Sequence, residues 1–103
     1  MKSVIRPAAV ADIERYWHLI ARNNPDAAAR FRVAVRTTIE AVAAQPALLG
    51  HNLGFRRHAE VRSFRLPPPY GKYLLFFHVH VRHVEFKRLV HGAQHLPRLF
   101  RAR

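Results

Sequence analysis

The side chains with the clearest capacity to bind a partner are basic residues in the second half of the chain. A guanidinium group binds phosphates or carboxylates through two parallel hydrogen bonds, so Arg is the better cation for such contacts. Arg residues on neighbouring strands would hold an anionic partner without reading bases; the alternative is a solvated basic face. The candidate partner-binding residues are Arg62, Arg65, Arg88, His91, Arg98 and Arg101.

Acid–base chemistry has one main candidate, His91. Histidine exchanges protons near neutral pH, and the neighbouring Gly92 allows a ligand to approach the backbone closely. The alternative is that His91 orders the turn through a backbone hydrogen bond. Ser3 and Ser63 lie in no nucleophile motif, and the chain has no glycine-rich phosphate loop. We therefore assign no catalytic residue from these patterns.

A metal site is the other chemistry that the eight histidines could support. The closest set along the chain is His78, His80 and His83, with His91 and His95 further on. Zinc sites need three or four ligands and supporting hydrogen bonds. The chain has no Cys, acidic residues nearby are few, and His80 and His83 fall in a predicted turn. We expect no metal and no other cofactor.

The charge balance points to an acidic partner. The chain carries 18 Lys and Arg residues against 6 acidic residues, a formal net charge of +12. Self-repulsion at this charge disfavours the compact state, so we expect a nucleic acid, a ribosome, an anionic membrane surface or an acidic protein as the partner. An Arg-rich proteome would explain the preference for Arg over Lys, but not the shortage of Asp and Glu.

Length and hydropathy predict a simple organisation. A chain of 103 residues is large enough for one hydrophobic core, so we expect one domain over residues 1–103. No apolar run approaches the roughly 20 residues of a membrane-spanning helix. The first residues also lack an apolar stretch long enough for a signal peptide. We expect a cytoplasmic protein.

Hydrophobic periodicity predicts an α+β fold. Apolar residues recur at helical spacing after Pro7 and again after Pro25, and Pro suits the first position of a helix. Asn24 can cap the second helix, which ends before Pro46. The predicted strands are residues 2–6, 61–66, 73–79 and 84–90, with a tight turn at 80–83. We expect an N-terminal strand, an antiparallel helical hairpin packed on a three- to four-stranded antiparallel sheet, and a short C-terminal helix between residues 95 and 100.

Several segments, taken in order, form a family pattern. The last predicted strand leads into His-Gly-Ala-Gln at residues 91–94 and then into a short basic, apolar tail. Residues 11–17 carry an acid followed by aliphatic and aromatic positions, and residues 24–31 read Asn-Pro-Asp-Ala-Ala-Ala-Arg-Phe. With Gln45-Pro46 before Gly50 and the strands at 61–62 and 73–77, this order resembles the RelE/ParE superfamily, the toxins of type II toxin–antitoxin modules.

The resemblance implies a toxin with one of two targets. Members similar to RelE cut messenger RNA on the ribosome with several basic residues and often a C-terminal Tyr or His, whereas members similar to ParE poison DNA gyrase. Here Gln94 stands where the nuclease type has a basic residue, and Phe100, near the expected Tyr, has no proton to exchange. We therefore predict a protein-binding inhibitor of DNA gyrase on the ParE side. The alternative is a ribosome-dependent endoribonuclease that uses His91 and the Arg residues.

The resemblance also implies a partner protein. We expect a cognate acidic antitoxin, encoded beside this gene, that wraps the basic surface and forms a hetero-oligomeric complex with the toxin. Charge complementarity would speed this association. Such modules are associated with plasmid stabilisation and growth inhibition. A third alternative is a decayed toxin without activity.

Overall fold

The computed structural model describes residues 1–47, 50–52 and 60–92. Within them the chain forms two helices and a sheet, in the predicted order apart from one additional short strand. The elements are β1 (Lys2–Ile5), α1 (Pro7–Ala21), α2 (Pro25–Ala44), β2 (His51–Asn52), β3 (Val61–Arg65), β4 (Tyr73–Val79) and β5 (His83–His91). The predicted C-terminal helix, Arg98 and Arg101 lie outside the described residues.

The two helices begin where the sequence indicates. Pro7 and Pro25 each stand at the start of a helix, where a missing N–H has no consequence. The Asn24 side chain accepts a hydrogen bond from the Ala27 N–H at 3.0 Å and caps α2. The connection of residues 22–24 is too short for any arrangement but a helical hairpin. No helix among the described residues is long and apolar enough to cross a membrane.

The sheet has the order β1-β5-β4-β3-β2. Strands β2 to β5 pair antiparallel, as predicted, and β2 is only two residues long. The α+β class is confirmed, but the sheet is mixed because β1 pairs parallel with β5, Lys2 lying opposite His83 and Ile5 opposite Phe86. The helical hairpin carries the chain from β1 across to the other strands, which makes this parallel pairing possible.

The main core lies between the helical hairpin and one face of the sheet. Its fully buried members include Phe31 and Val42 of α2, Phe77 of β4, and Phe86 and Leu89 of β5. Side chains alternate along a strand, so the neighbours of these residues belong to the other face. A smaller buried cluster of Val61, Phe76 and Val90 forms there. Strand β4 is therefore buried on both faces, as its continuous apolar sequence predicts.

The register of β4 and β5 is interrupted once. Phe76 lies opposite Arg88, but the next residue, Phe77, lies opposite Phe86, so β5 carries one extra residue, Lys87. A bulge of this kind bends the strand and changes the direction of the side chains that follow it. This shift decides where Arg88 and the residues after it point.

Candidate functional site

Arg88 is held by a carboxylate within the same chain. Its Nε donates to Asp12 Oδ2 at 2.7 Å, and its Nη2 donates to Asp12 Oδ1 at 3.0 Å, a two-pronged pair between β5 and α1. Asp12 is only 1% exposed. The hydrogen bonds and the charge of Asp12 hold the pKa of the Arg88 guanidinium above its usual value, against the effect of burial.

Asp12 also completes the edge of the sheet. Strand β1 covers β5 only as far as Phe86, whose carbonyl accepts the Arg6 N–H at 2.9 Å. The Leu89 N–H lies beyond that point and donates to Asp12 Oδ2 at 2.9 Å. A buried N–H without an acceptor would cost about 1–3 kcal/mol. The Asp12 carboxylate therefore supplies the hydrogen-bond acceptor for β5 beyond the point where β1 stops pairing with it.

Arg62 serves the chain between α2 and β2. Its Nη2 donates to the Gly50 carbonyl at 3.0 Å, and its Nη1 donates to the Pro46 carbonyl at 3.3 Å. Gly50 has a φ of +90°, and a Cβ at this position would lie 2.6 Å from the Phe77 ring, so only glycine fits this turn. The Arg62 guanidinium thus links the backbone at Pro46, just after α2, to the backbone at Gly50, just before β2.

Arg65 and His91 lie at the same end of the sheet. Arg65 stands opposite Leu74 and His91 opposite Tyr73, so one strand separates the two residues. Arg65 is exposed, and its Nη1 donates to the Gly71 carbonyl at 2.6 Å. Of the described candidates, these two have the side chains best placed to meet a partner.

His91 belongs to an aromatic group with Tyr16 and Tyr73. Its backbone N–H donates to the Tyr16 hydroxyl at 3.1 Å, and its ring lies 4.6 Å from the Tyr73 ring and 6.3 Å from the Tyr16 ring. Burial, followed by the neighbouring Tyr16 and Tyr70, raises the pKa of Tyr73. Tyr73 therefore stays protonated at neutral pH and is a hydrogen-bond donor, not a base.

The structure does not gather the predicted basic residues into one surface. Arg62, Arg65 and Arg88 each donate to an acceptor within the chain, and of the four described candidates Arg65 and His91 are the exposed ones, at one end of the sheet. Asp12 was not among the residues predicted from the sequence. A signal was available, because Asp12 falls three residues after Ala9 and four before Tyr16, on the apolar stripe of α1.

A second polar group lies at the opposite end of β5, beside the predicted turn. We call His78, His80, His83 and Glu85 the hairpin cluster. The His80 N–H closes the turn on the His83 carbonyl at 2.8 Å, which confirms the tight turn. His80 Nε2 lies 2.9 Å from Glu85 Oε1, and its ring centroid lies 4.0 Å from that of His78 and 4.4 Å from that of His83.

The hairpin cluster perturbs the proton affinity of its members. The hydrogen bond from His80, with the charge of Lys87, lowers the pKa of Glu85 despite its partial burial. Burial, followed by the neighbouring His80, lowers the pKa of His78. Glu85 was not part of the predicted site, because only the strand register places it directly opposite His78.

Comparisons with known proteins agree with this architecture. A family model described as the ParE toxin of the type II toxin–antitoxin system parDE matches residues 4–96. The solved structure of a chromosomal ParDE toxin–antitoxin system from P. aeruginosa superposes with a TM-score of 0.74 at 14% identity, covering 90% of this chain and 97% of that chain. No curated protein matches this chain. Since the family model covers most of the sequence, the chain belongs to the ParE toxin family of type II toxin–antitoxin systems.

Proposed function

We propose that this toxin binds and inhibits DNA gyrase, and that a cognate acidic antitoxin neutralises it. The observation that carries the choice of mechanism is the closed pair of Arg88 and Asp12. A ribonuclease must stabilise charge on the phosphate that it cuts, and Arg is well suited to that work. The Arg88 guanidinium instead donates two hydrogen bonds to Asp12 of its own chain, so these donors are not available to a phosphate.

The composition of the remaining candidates supports a binding role. General acid–base catalysis needs two groups that exchange protons near the operating pH. Tyr73 has a raised pKa, residues 93–95 lack the basic residue that the nuclease type has after the turn, and Phe100 stands near the position expected for its Tyr. Inhibition by binding needs none of these groups. The gyrase target implies that the toxin acts in the cytoplasm.

The antitoxin proposal rests on charge. Besides the net charge of +12, the described part of the chain presents cations that are exposed on helices, strands and turns. An acidic partner would relieve their mutual repulsion and associate quickly at low salt. These exposed cations include Lys2, Arg22, Arg30, Arg36, Lys72 and Arg82.

For the acting surface we propose the end of the sheet that holds His91. Arg65 and His91 are exposed there, and Arg98 and Arg101 follow His91 along the sequence. Arg62 and Arg88 support this surface indirectly, because their guanidinium groups fix the backbone and the first helix.

The alternative function, a ribosome-dependent endoribonuclease, is favoured by one observation. His91 is exposed beside two tyrosine rings, and aromatic rings can stack on unpaired bases. Under this alternative His91 would act as the acid or base, so His91→Ala would lower the cleavage rate about a hundredfold or more. A gyrase inhibitor would lose only a modest part of its affinity.

The test of the gyrase proposal compares two reconstituted systems. Purified full-length toxin is added to DNA gyrase acting on relaxed plasmid, and separately to a cell-free translation reaction. We expect loss of supercoiling and accumulation of cleaved plasmid, with translation unchanged. Cleaved messages with unaffected gyrase would establish the nuclease alternative instead. No effect in either system, together with no growth defect on induction, would identify a decayed toxin.

The acting surface is tested with paired substitutions. Arg65→Ala, Arg98→Ala and Arg101→Ala should each weaken gyrase inhibition. Arg65→Ala should also keep the unfolding midpoint close to that of the wild type, since changes at exposed residues rarely exceed about 0.5 kcal/mol. Arg82→Ala, at the turn that begins β5, is the matched control and should keep full inhibition. Equal activity of all four variants would refute the proposed surface and point to the helical hairpin.

The antitoxin proposal is tested by co-expression with the neighbouring gene. The two products should co-purify at moderate salt, and the complex should no longer inhibit gyrase. A toxin that purifies alone would contradict the proposal. Raising the salt concentration should slow association more than it speeds dissociation, because charge mainly sets the rate of encounter.

A further inference from the structure

The hairpin cluster lies apart from the proposed acting surface. His91 ends β5, whereas His78, His80 and Glu85 stand where β4 ends and β5 begins. Their ligand atoms, one ring nitrogen from each histidine and one carboxylate oxygen, all lie within 4.8 Å of one another. Gyrase binding does not require this group, and the family comparison assigns nothing to it.

We propose that His78, His80 and Glu85 form a binding site for a divalent transition-metal cation of the zinc type. Two imidazole nitrogens and one carboxylate oxygen are a donor set that zinc accepts in proteins, with the fourth position open to water. The sequence predicts no metal site, because few acidic residues lie near the histidines along the chain. The pairing of β4 with β5 supplies the missing acid.

The backbone already holds the three ligands in place. His78 and Glu85 are direct cross-strand partners, and the hydrogen bond from the His80 N–H to the His83 carbonyl fixes the turn beside them. Zinc–ligand bonds of about 2.0–2.2 Å place tetrahedral donor atoms about 3.3–3.5 Å apart. His80 and Glu85 are closer than that now, at 2.9 Å, and the His78 ligand atom, which lies within 4.8 Å of both, can approach by a side-chain rotation.

A cation would take the place of the proton that His80 and Glu85 now share. Their 2.9 Å contact is a hydrogen bond whose two heavy atoms would become two ligands of the metal. All three side chains are half-buried, so the site is open enough for entry and partly shielded from water. His83, whose ring stacks on that of His80, is placed to support that ring.

Two cations compete with a metal for Glu85. Arg6 Nε lies 3.5 Å from Glu85 Oε2, and Lys87 Nζ lies 3.9 Å from Glu85 Oε1. Both contacts are longer than the bond to His80, and the Arg6 side chain is 57% exposed, so both can move aside. Removing the Lys87 charge should therefore strengthen metal binding. This gives the proposal a variant that gains affinity as well as variants that lose it.

The experiment titrates Zn²⁺ into the untagged, full-length toxin and measures heat release and the unfolding temperature. We expect one strong site and a higher unfolding temperature with zinc, because the metal joins the ends of two strands. Mg²⁺ is the comparison cation and should not bind, since it prefers oxygen ligands. No zinc binding by the wild type would overturn the proposal.

The variants identify the ligands. His80→Gln and Glu85→Gln should each weaken zinc binding about tenfold or more, as even outer-shell changes do in metal sites. Lys87→Ala should bind zinc more tightly than the wild type. His18→Gln, an exposed histidine on α1, is the matched control and should bind as the wild type does. Unchanged binding in His80→Gln and Glu85→Gln, or an equal loss in His18→Gln, would overturn the proposed site.

This outcome is independent of the gyrase proposal. His80→Gln should inhibit gyrase as well as the wild type does, because its side chain lies at the other end of β5 from His91. A change in inhibition without a change in zinc binding would assign the hairpin cluster to the target surface instead and refute the metal site.

Discussion

Two carboxylates that contact strand β5 or lie on it behave in opposite ways. Near the end of β5, Asp12 of α1 is 1% exposed and binds Arg88 through two hydrogen bonds, with Arg15 Nη2 also 3.3 Å from its Oδ1. Near the beginning of β5, the Glu85 side chain is 18% exposed and is shared among His80, Arg6 and Lys87 at 2.9, 3.5 and 3.9 Å. The first site is closed, and the second has more cations around it than one carboxylate can bind well.

The difference shows that burial decides how much each ion pair of this strongly basic protein contributes to stability. A buried carboxylate must have every hydrogen-bond position satisfied, and removing one partner leaves the other uncompensated. A partly exposed carboxylate exchanges partners with water and with neighbouring cations at less cost. The Asp12 site therefore belongs to folding, whereas the Glu85 site can accept an additional cation.

The largest effect on this comparison should come from Asp12→Ala. The change leaves the Arg88 guanidinium and the Leu89 N–H without their acceptor, and we expect a loss of about 3 kcal/mol in the free energy of unfolding. Urea denaturation followed by the fluorescence of Trp17, the single tryptophan, measures it. A loss below about 1 kcal/mol would mean that water replaces the carboxylate, and the contrast with Glu85 would disappear.

A double substitution should recover part of that loss. With Asp12→Leu and Arg88→Met together, no buried charge is left unpaired, because Arg15, which also contacts Asp12 Oδ1 at 3.3 Å, has a side chain that is 55% exposed. We expect the double variant to unfold at a higher urea concentration than Asp12→Leu alone. It should remain below the wild type, because the Leu89 N–H still lacks its acceptor. A double variant no more stable than the single one would show that the Leu89 hydrogen bond dominates.

Glu85→Gln should have a smaller effect on stability. The amide can still accept a hydrogen bond from His80, and the longer contacts with Arg6 and Lys87 are screened by water. We expect a change below about 1 kcal/mol that shrinks further at high salt. A change as large as that of Asp12→Ala would mean that the two carboxylates are equivalent. The same urea titration, repeated at two salt concentrations, distinguishes these outcomes.

The smallest effect should come from Glu14→Gln. Glu14 pairs with Arg32 across the helical hairpin at 2.9 Å, but both side chains are more than two-fifths exposed. Exposed pairs contribute little, so the free energy of unfolding should change by about 0.5 kcal/mol or less. This variant is the control for the loss of one negative charge. A larger loss would show that the net charge of +12, and not burial, sets the stability of the variants.

The sequence predicted most of the fold because its signals are local. Pro7 and Pro25 indicated both helix starts, and the Asn24 cap is confirmed by its hydrogen bond to Ala27. The apolar run that became β4 was predicted with its observed bounds, and the turn before β5 was also predicted. Each of these features depends on residues that are close together in the sequence. Hydrophobic periodicity and capping preferences predict such local features well.

The candidate site was predicted less completely. The sequence indicated Arg88 and His91 as important residues, and the structure gives both of them contacts with α1. The sequence did not predict that Arg88 would pair with Asp12, because the two residues are 76 positions apart. The whole predicted set remains a proposal, and its members Arg98 and Arg101 lie beyond the described residues.

The sequence alone determined the helical hairpin, the antiparallel strands, the basic charge and the resemblance to the toxin superfamily. The tertiary structure decided the parallel pairing of β1 with β5, the closure of Arg88 by Asp12 and the meeting of His78 with Glu85. All three depend on strand order and register, and the position of Arg88 depends also on the bulge in β5. Local propensity carries no information about such pairings, since they are fixed only when the strands and the helical hairpin pack together.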